Sequence, residues 1–78
     1  MICIATCFSH FGAIRFIRLC KEQGWPARAM PVPRDLSSSC GTCVRYEGEC
    51  PEKPLEEVEQ IVELTPSGYR PLYRAQGS

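Results

Sequence analysis

Seventy-eight residues leave room for one domain, 1–78, around one hydrophobic core. Nine Lys+Arg balance nine Asp+Glu to a formal net charge of zero, and 44% of the residues are hydrophobic. That composition excludes a disordered chain, and it lacks the clustered basic excess that nucleic acid or an anionic membrane surface would demand.

No apolar run approaches the ~20 residues of a membrane-spanning helix. Met1-Ile2-Cys3-Ile4-Ala5 has neither the basic lead nor the cleavage site of a secretory signal, so the expected setting is cytoplasmic. Ile2 to Cys7 carries no Gly, Pro or charge and reads as a first strand buried on both faces. Ser9 offers an N-cap, and from His10 the apolar Ala13, Phe16, Ile17 and Cys20 recur at helical spacing, with Arg15, Arg18 and Glu22 on the opposite face. Gly24 stops this helix and Pro26 keeps it from resuming. Ala27 to Val32 reads as a second strand, which Pro31 confines to a sheet edge because proline has no N–H for the ladder.

Pro33 to Gly41 is a loop by composition, and Thr42 to Tyr46, β-branched and aromatic without proline, reads as a central third strand. Gly48 to Pro54 is a turn. From Pro54, the residues Leu55, Val58, Ile61 and Val62 form one apolar stripe, with Glu56, Glu57, Glu59, Gln60 and Glu63 mostly off it. That spacing predicts a second amphipathic helix. Tyr69 to Arg74 reads as a last strand, again an edge because of Pro71, and 75–78 as a frayed tail.

The order βαββαβ predicts an α+β, ferredoxin-like sandwich: a four-stranded antiparallel sheet ordered 4-1-3-2 with both helices on one face. Its edges are the second and fourth strands, the two that carry proline. Right-handed crossovers bring the end of the first strand, the start of the first helix, the end of the second strand and the start of the third to one end of the sheet, here called the upper end.

Six cysteines in so short a chain are the unusual feature. A disulfide framework suits a secreted protein, whereas in a reducing compartment Cys-x-x-Cys points to thiol or metal chemistry. Cys3, Cys20 and Cys50 read as structural thiols. Cys40-Gly41-Thr42-Cys43 falls at the upper end beside Cys7-Phe8-Ser9-His10 and the start of the helix, where free N–H groups and the helix dipole favour an anion. Such a setting lowers a thiol pKa from about 8.5. Arg34 would add positive charge, Gly41 admits a close approach, and Ser9, Ser38 and Ser39 offer hydroxyls. Cys40 is the candidate nucleophile and Cys43 the candidate resolving thiol.

Two other chemistries remain open. Cys40, Cys43, Cys7 and His10 could ligate zinc or iron, whereas Cys50 falls about 17 Å away at the lower end, at ~3.3 Å per strand residue. A dithiol oxidoreductase is a weaker reading, since redox Cys-x-x-Cys pairs usually sit where a strand feeds a helix and this pair leads into a strand. With no Gly-rich phosphate loop, no paired carboxylates and no Ser-His-Asp arrangement, the chain reads as a carrier or adaptor rather than a catalyst.

Gly24-Trp25-Pro26-Ala27-Arg28, followed by Pro31-Val32-Pro33-Arg34-Asp35-Leu36-Ser37-Ser38-Ser39-Cys40-Gly41, resembles the signature of the small bacterial Se/S carrier protein-like family. The likeness runs from the Ser9 region through Tyr73. It implies a cytoplasmic protein handling sulfur or selenium, with Cys40 at the motif's cysteine. The corresponding partners are a sulfur- or selenium-donor enzyme such as a cysteine desulfurase and an acceptor protein, with no resident cofactor. The prolines in both edge strands discourage pairing between chains, so a monomer or weak dimer is expected.

Overall fold

The uninterrupted apolar run at the start of the chain pairs on both sides, as its two-faced hydrophobicity requires, and so occupies the middle of a sheet. The computed structural model describes residues 1–36, 38, 40–52 and 56–75. Its elements are β1 (Ile2–Cys7), α1 (His10–Gln23), β2 (Ala27–Pro31), β3 (Thr42–Glu47), β4 (Val58–Thr65) and β5 (Gly68–Arg74). The strands form one antiparallel sheet in the order β2-β3-β1-β4-β5. Pro31 and Pro71 lie in its two edge strands, where the missing N–H costs no central ladder bond.

Local signals set α1. The Ser9 side chain accepts from the Gly12 N–H at 3.1 Å, meeting one of the unpaired donors of the first turn. At the other end Gly24 adopts φ +78°, and its N–H bonds back to the Lys21 carbonyl. That left-handed cap is cheap only for glycine. No helix among the described residues is long and apolar enough to cross a membrane.

The α+β class holds, but the four-stranded, two-helix sandwich expected from the sequence does not: among the described residues there is one helix and a fifth strand. Val58 to Glu63, expected in a second helix, belongs to β4. The proposed start of that helix, Pro54 and Leu55, lies outside the described residues, as do Ser37, Ser39 and positions 76–78 of the proposed tail. A β-bulge explains the misleading spacing. Thr6 pairs with Gln60 whereas Cys7 pairs with Val58, so Glu59 is an extra residue in the ladder. Val58 and Ile61, three apart, therefore face the same side, and Val62 faces the other. The apolar pattern is helical, yet β-branched residues at all three positions favour a strand.

The two faces are covered differently. On one, Cys3, Ala5 and Cys7 of β1, Val44 and Tyr46 of β3, and Val58 and Ile61 of β4 pack with Ala13, Phe16 and Cys20 of α1. Phe16 meets Tyr46 edge to face at 5.2 Å, and Trp25 stacks on the same ring at 5.6 Å. The second face carries Ile4, Cys43 and Val62, with Met30, Val32, Leu36 and Tyr69 packed on them. Among the described residues, Val32 and Leu36 bring the β2–β3 connection onto this face. Tyr69 donates to Asp35 Oδ1 at 2.9 Å, tying that connection across the sheet to the far edge strand.

Candidate functional site

The upper end of the sheet gathers the end of β1, the start of α1, the start of β3 and the bulged start of β4. Thr6 is fully buried, and its hydroxyl donates to Glu59 Oε1 at 3.2 Å. Ser38 Oγ donates to the same oxygen at 3.0 Å and accepts from the Cys40 N–H at 3.2 Å. One carboxylate in the bulge thus fastens the thiol-bearing loop to the end of β1. Val32 N–H donates to the Gly41 carbonyl at 3.0 Å, closing the base of the loop.

Of the six cysteines, all unbridged, only Cys40 and Cys50 have appreciable exposure. Cys40 is half-buried in the loop just described. Cys7 is fully buried on the helix side. Burial pushes its thiol up to about 12, and Cys40, Cys43, Glu57 and Glu59 add to the push in that order. Cys43 is also fully buried, but on the opposite face, with its Sγ 3.8 Å from the Pro31 carbonyl; burial raises its pKa. The Cys-x-x-Cys pair therefore does not present two accessible thiols side by side. Cys3 and Cys20 are buried in the helix-side core, and Cys50 packs against that core.

Of the other residues expected at the site, Ser9 caps the helix, His10 opens it and is exposed, and Arg34 and Gly41 are exposed in the loop. Among the described residues no group of three or more His, Cys, Asp or Glu side chains is arranged to hold a metal ion. The charged groups that bear on Cys7 are acids, Glu57 and Glu59.

Glu59 is one residue of the candidate site that the sequence did not reveal, because a helix over 58–63 would have turned it to solvent. The signal was present in the β-branched Val58, Ile61 and Val62, which favour a strand. Glu57 was missed for the same reason. Its carboxylate pairs with Arg15 at 2.6 Å, and its carbonyl accepts from Phe8 N–H at 2.8 Å. Gly12 lets this segment sit against α1: a Cβ there would lie 2.5 Å from Glu57 Cβ and 3.3 Å from Cys7 Cβ. Alanine in place of Gly12 would gain about 1 kcal/mol of helix propensity, but overpacking costs typically 1–3 kcal/mol. The opposing atom is a Cβ fixed to backbone, which cannot swing aside, so Gly12→Ala is expected to lower the urea midpoint. A raised midpoint would show that the Glu57 segment gives way freely.

The family model described as Putative Se/S carrier protein-like matches residues 2–73, nearly the whole chain. No curated protein and no solved structure matches it.

Proposed function

The chain belongs to the Putative Se/S carrier protein-like family, and from that membership we propose that Cys40 is the carrier atom's attachment point. In this reading the Cys40 thiolate attacks the outer sulfur of a donor persulfide. A sulfur–sulfur bond forms at Cys40, the donor's own thiolate leaves, and the sulfane sulfur is held as a Cys40 persulfide until an acceptor takes it. Selenium in place of the outer sulfur follows the same displacement.

The observation that supports this reading is the contrast among the cysteines. Cys40 is partly exposed on a loop held by polar contacts, whereas Cys3, Cys7, Cys20 and Cys43 have no exposed surface. A carrier must meet two macromolecular partners in turn, and a thiol without exposed surface meets neither. Gly41 beside it is exposed and has open space where a side chain would stand, which leaves room for a partner's sulfur to approach.

Incubation of the reduced protein with a cysteine desulfurase and cysteine is expected to add one sulfur atom to the intact mass of the wild type and none to Cys40→Ser. Equal loading of the two proteins, or no loading of the wild type, would reject the role.

A further inference from the structure

At the lower end of the sheet, away from Cys40, β2 and β3 set two arginines directly against each other. Arg28 is the register partner of Arg45, and Arg45 is also the partner of Ile4 on β1. Ile4 belongs to the cluster on the second face, so both arginine side chains leave the sheet on that face. Directly opposed residues have Cβ atoms about 4.5–5.5 Å apart, and like charges so placed repel. Among the described residues the ion pairs are Arg15–Glu57 and Arg70–Glu63, and neither the Arg28 nor the Arg45 guanidinium has a hydrogen-bond or carboxylate partner.

The two arginines line a cleft of about 300 Å³ with Pro26, Ala27, Tyr46 and Glu47. Ala27 and Tyr46 pack their side chains into the helix-side core, which leaves their backbone as the floor of the cleft. Glu47, two residues along β3 from Arg45, brings one negative charge against two positive ones. Arg45 is half-buried and Arg28 exposed, so the Arg45 side chain gives up less freedom when a ligand is bound. The volume is at the small end of the range for ligand sites.

We propose that the Arg28–Arg45 cleft binds a dianionic phosphate group, either free phosphate or the phosphate of a small monoester. Each guanidinium presents a planar fork of N–H donors that matches a pair of phosphate oxygens. A carboxylate fills one such fork. A phosphate monoester has three terminal oxygens and a charge of about −2 near neutral pH, so two forks can share it. Bound between the arginines, it turns their repulsion into a common attraction. The cleft stands apart from Cys40, and its ligand binding does not depend on the carrier reading.

The test titrates isotope-labelled protein with inorganic phosphate near neutral pH, with ionic strength held constant by sodium chloride, and follows the backbone amide resonances. Saturable shifts are expected at 27–29 and 44–47. Arg28→Gln and Arg45→Gln, each checked for unchanged amide dispersion elsewhere, are expected to bind about tenfold more weakly. Arg28→Lys and Arg45→Lys restore the charge without the fork and are expected to recover part of the loss. Glu47→Gln is expected to bind more tightly, and Cys40→Ser as the wild type does. A second arm with phenyl phosphate assigns the source. Binding at least as tight as that of inorganic phosphate points to a small monoester, and exclusion of phenyl phosphate points to the free ion. Shifts that do not saturate, equal shifts with acetate, or wild-type affinity in both glutamine variants would overturn the proposal. So would loss of binding in Cys40→Ser, which would put the anion at the thiol loop.

Discussion

Truncation of Phe16 to alanine is expected to cost about 3–5 kcal/mol, the usual range for removing a fully buried ring. Phe16 has no exposed surface, and of the α1 side chains buried in the helix-side core it is the largest, the others being Ala13 and Cys20. Its edge rests on Tyr46, which also supports Trp25, so the cavity would undermine both aromatic contacts. A chain of this length has a total stability of roughly 4–12 kcal/mol, and the substitution would remove a large part of it. Urea unfolding with Ile14→Ala as a control provides the check. Ile14 is on the same helix but half-exposed, and its truncation is expected to stay within about 0.5 kcal/mol. Equal losses at the two positions would mean that α1 is not packed through the Phe16 face.

Removal of the Glu59 side chain is expected to act on stability and on the thiol loop together. Thr6 is fully buried and donates to Glu59 Oε1, so Glu59→Ala leaves a buried hydroxyl without that acceptor. The cost of such a loss is about 1–3 kcal/mol. Ser38 loses the same acceptor, and with it the fastening of the loop that holds the Cys40 amide. Alkylation of Cys40 by iodoacetamide is therefore expected to speed up in Glu59→Ala. Glu59→Gln, which keeps an acceptor oxygen at that position, is expected to lie between the alanine variant and the wild type in both measurements. A Glu59→Ala protein with wild-type stability and wild-type alkylation would show that the loop is held by its apolar contacts through Val32 and Leu36 alone.

These two residues also illustrate what can be read without coordinates. Phe16 is legible because helical spacing places it on the same stripe as Ala13 and Cys20, and α1 formed as that spacing indicated. Glu59 was not legible, because its role depends on a bulge that exists only when β4 pairs with β1. Cys40 as the accessible thiol of its loop followed from composition and motif. That Cys7 and Cys43 are buried on opposite faces did not, since the side of a sheet that a strand residue faces is fixed by its register with neighbours distant in sequence.

The amino-acid sequence by itself determined β1, α1 with its Ser9 and Gly24 caps, β2, β3 and the edge positions of Pro31 and Pro71. Each rests on an interaction within a few residues: a hydroxyl reaching the next turn's N–H, a glycine free to take positive φ, a proline with no donor to give. Only the tertiary structure decided that Val58 to Thr65 is a strand, that Val32 and Leu36 pack on the second face, and that Glu59 bonds to Ser38 of the thiol loop. For that segment the helical and extended conformations bury the same three apolar side chains. The ladder bonds offered by β1 and β5 on either side made the extended one win.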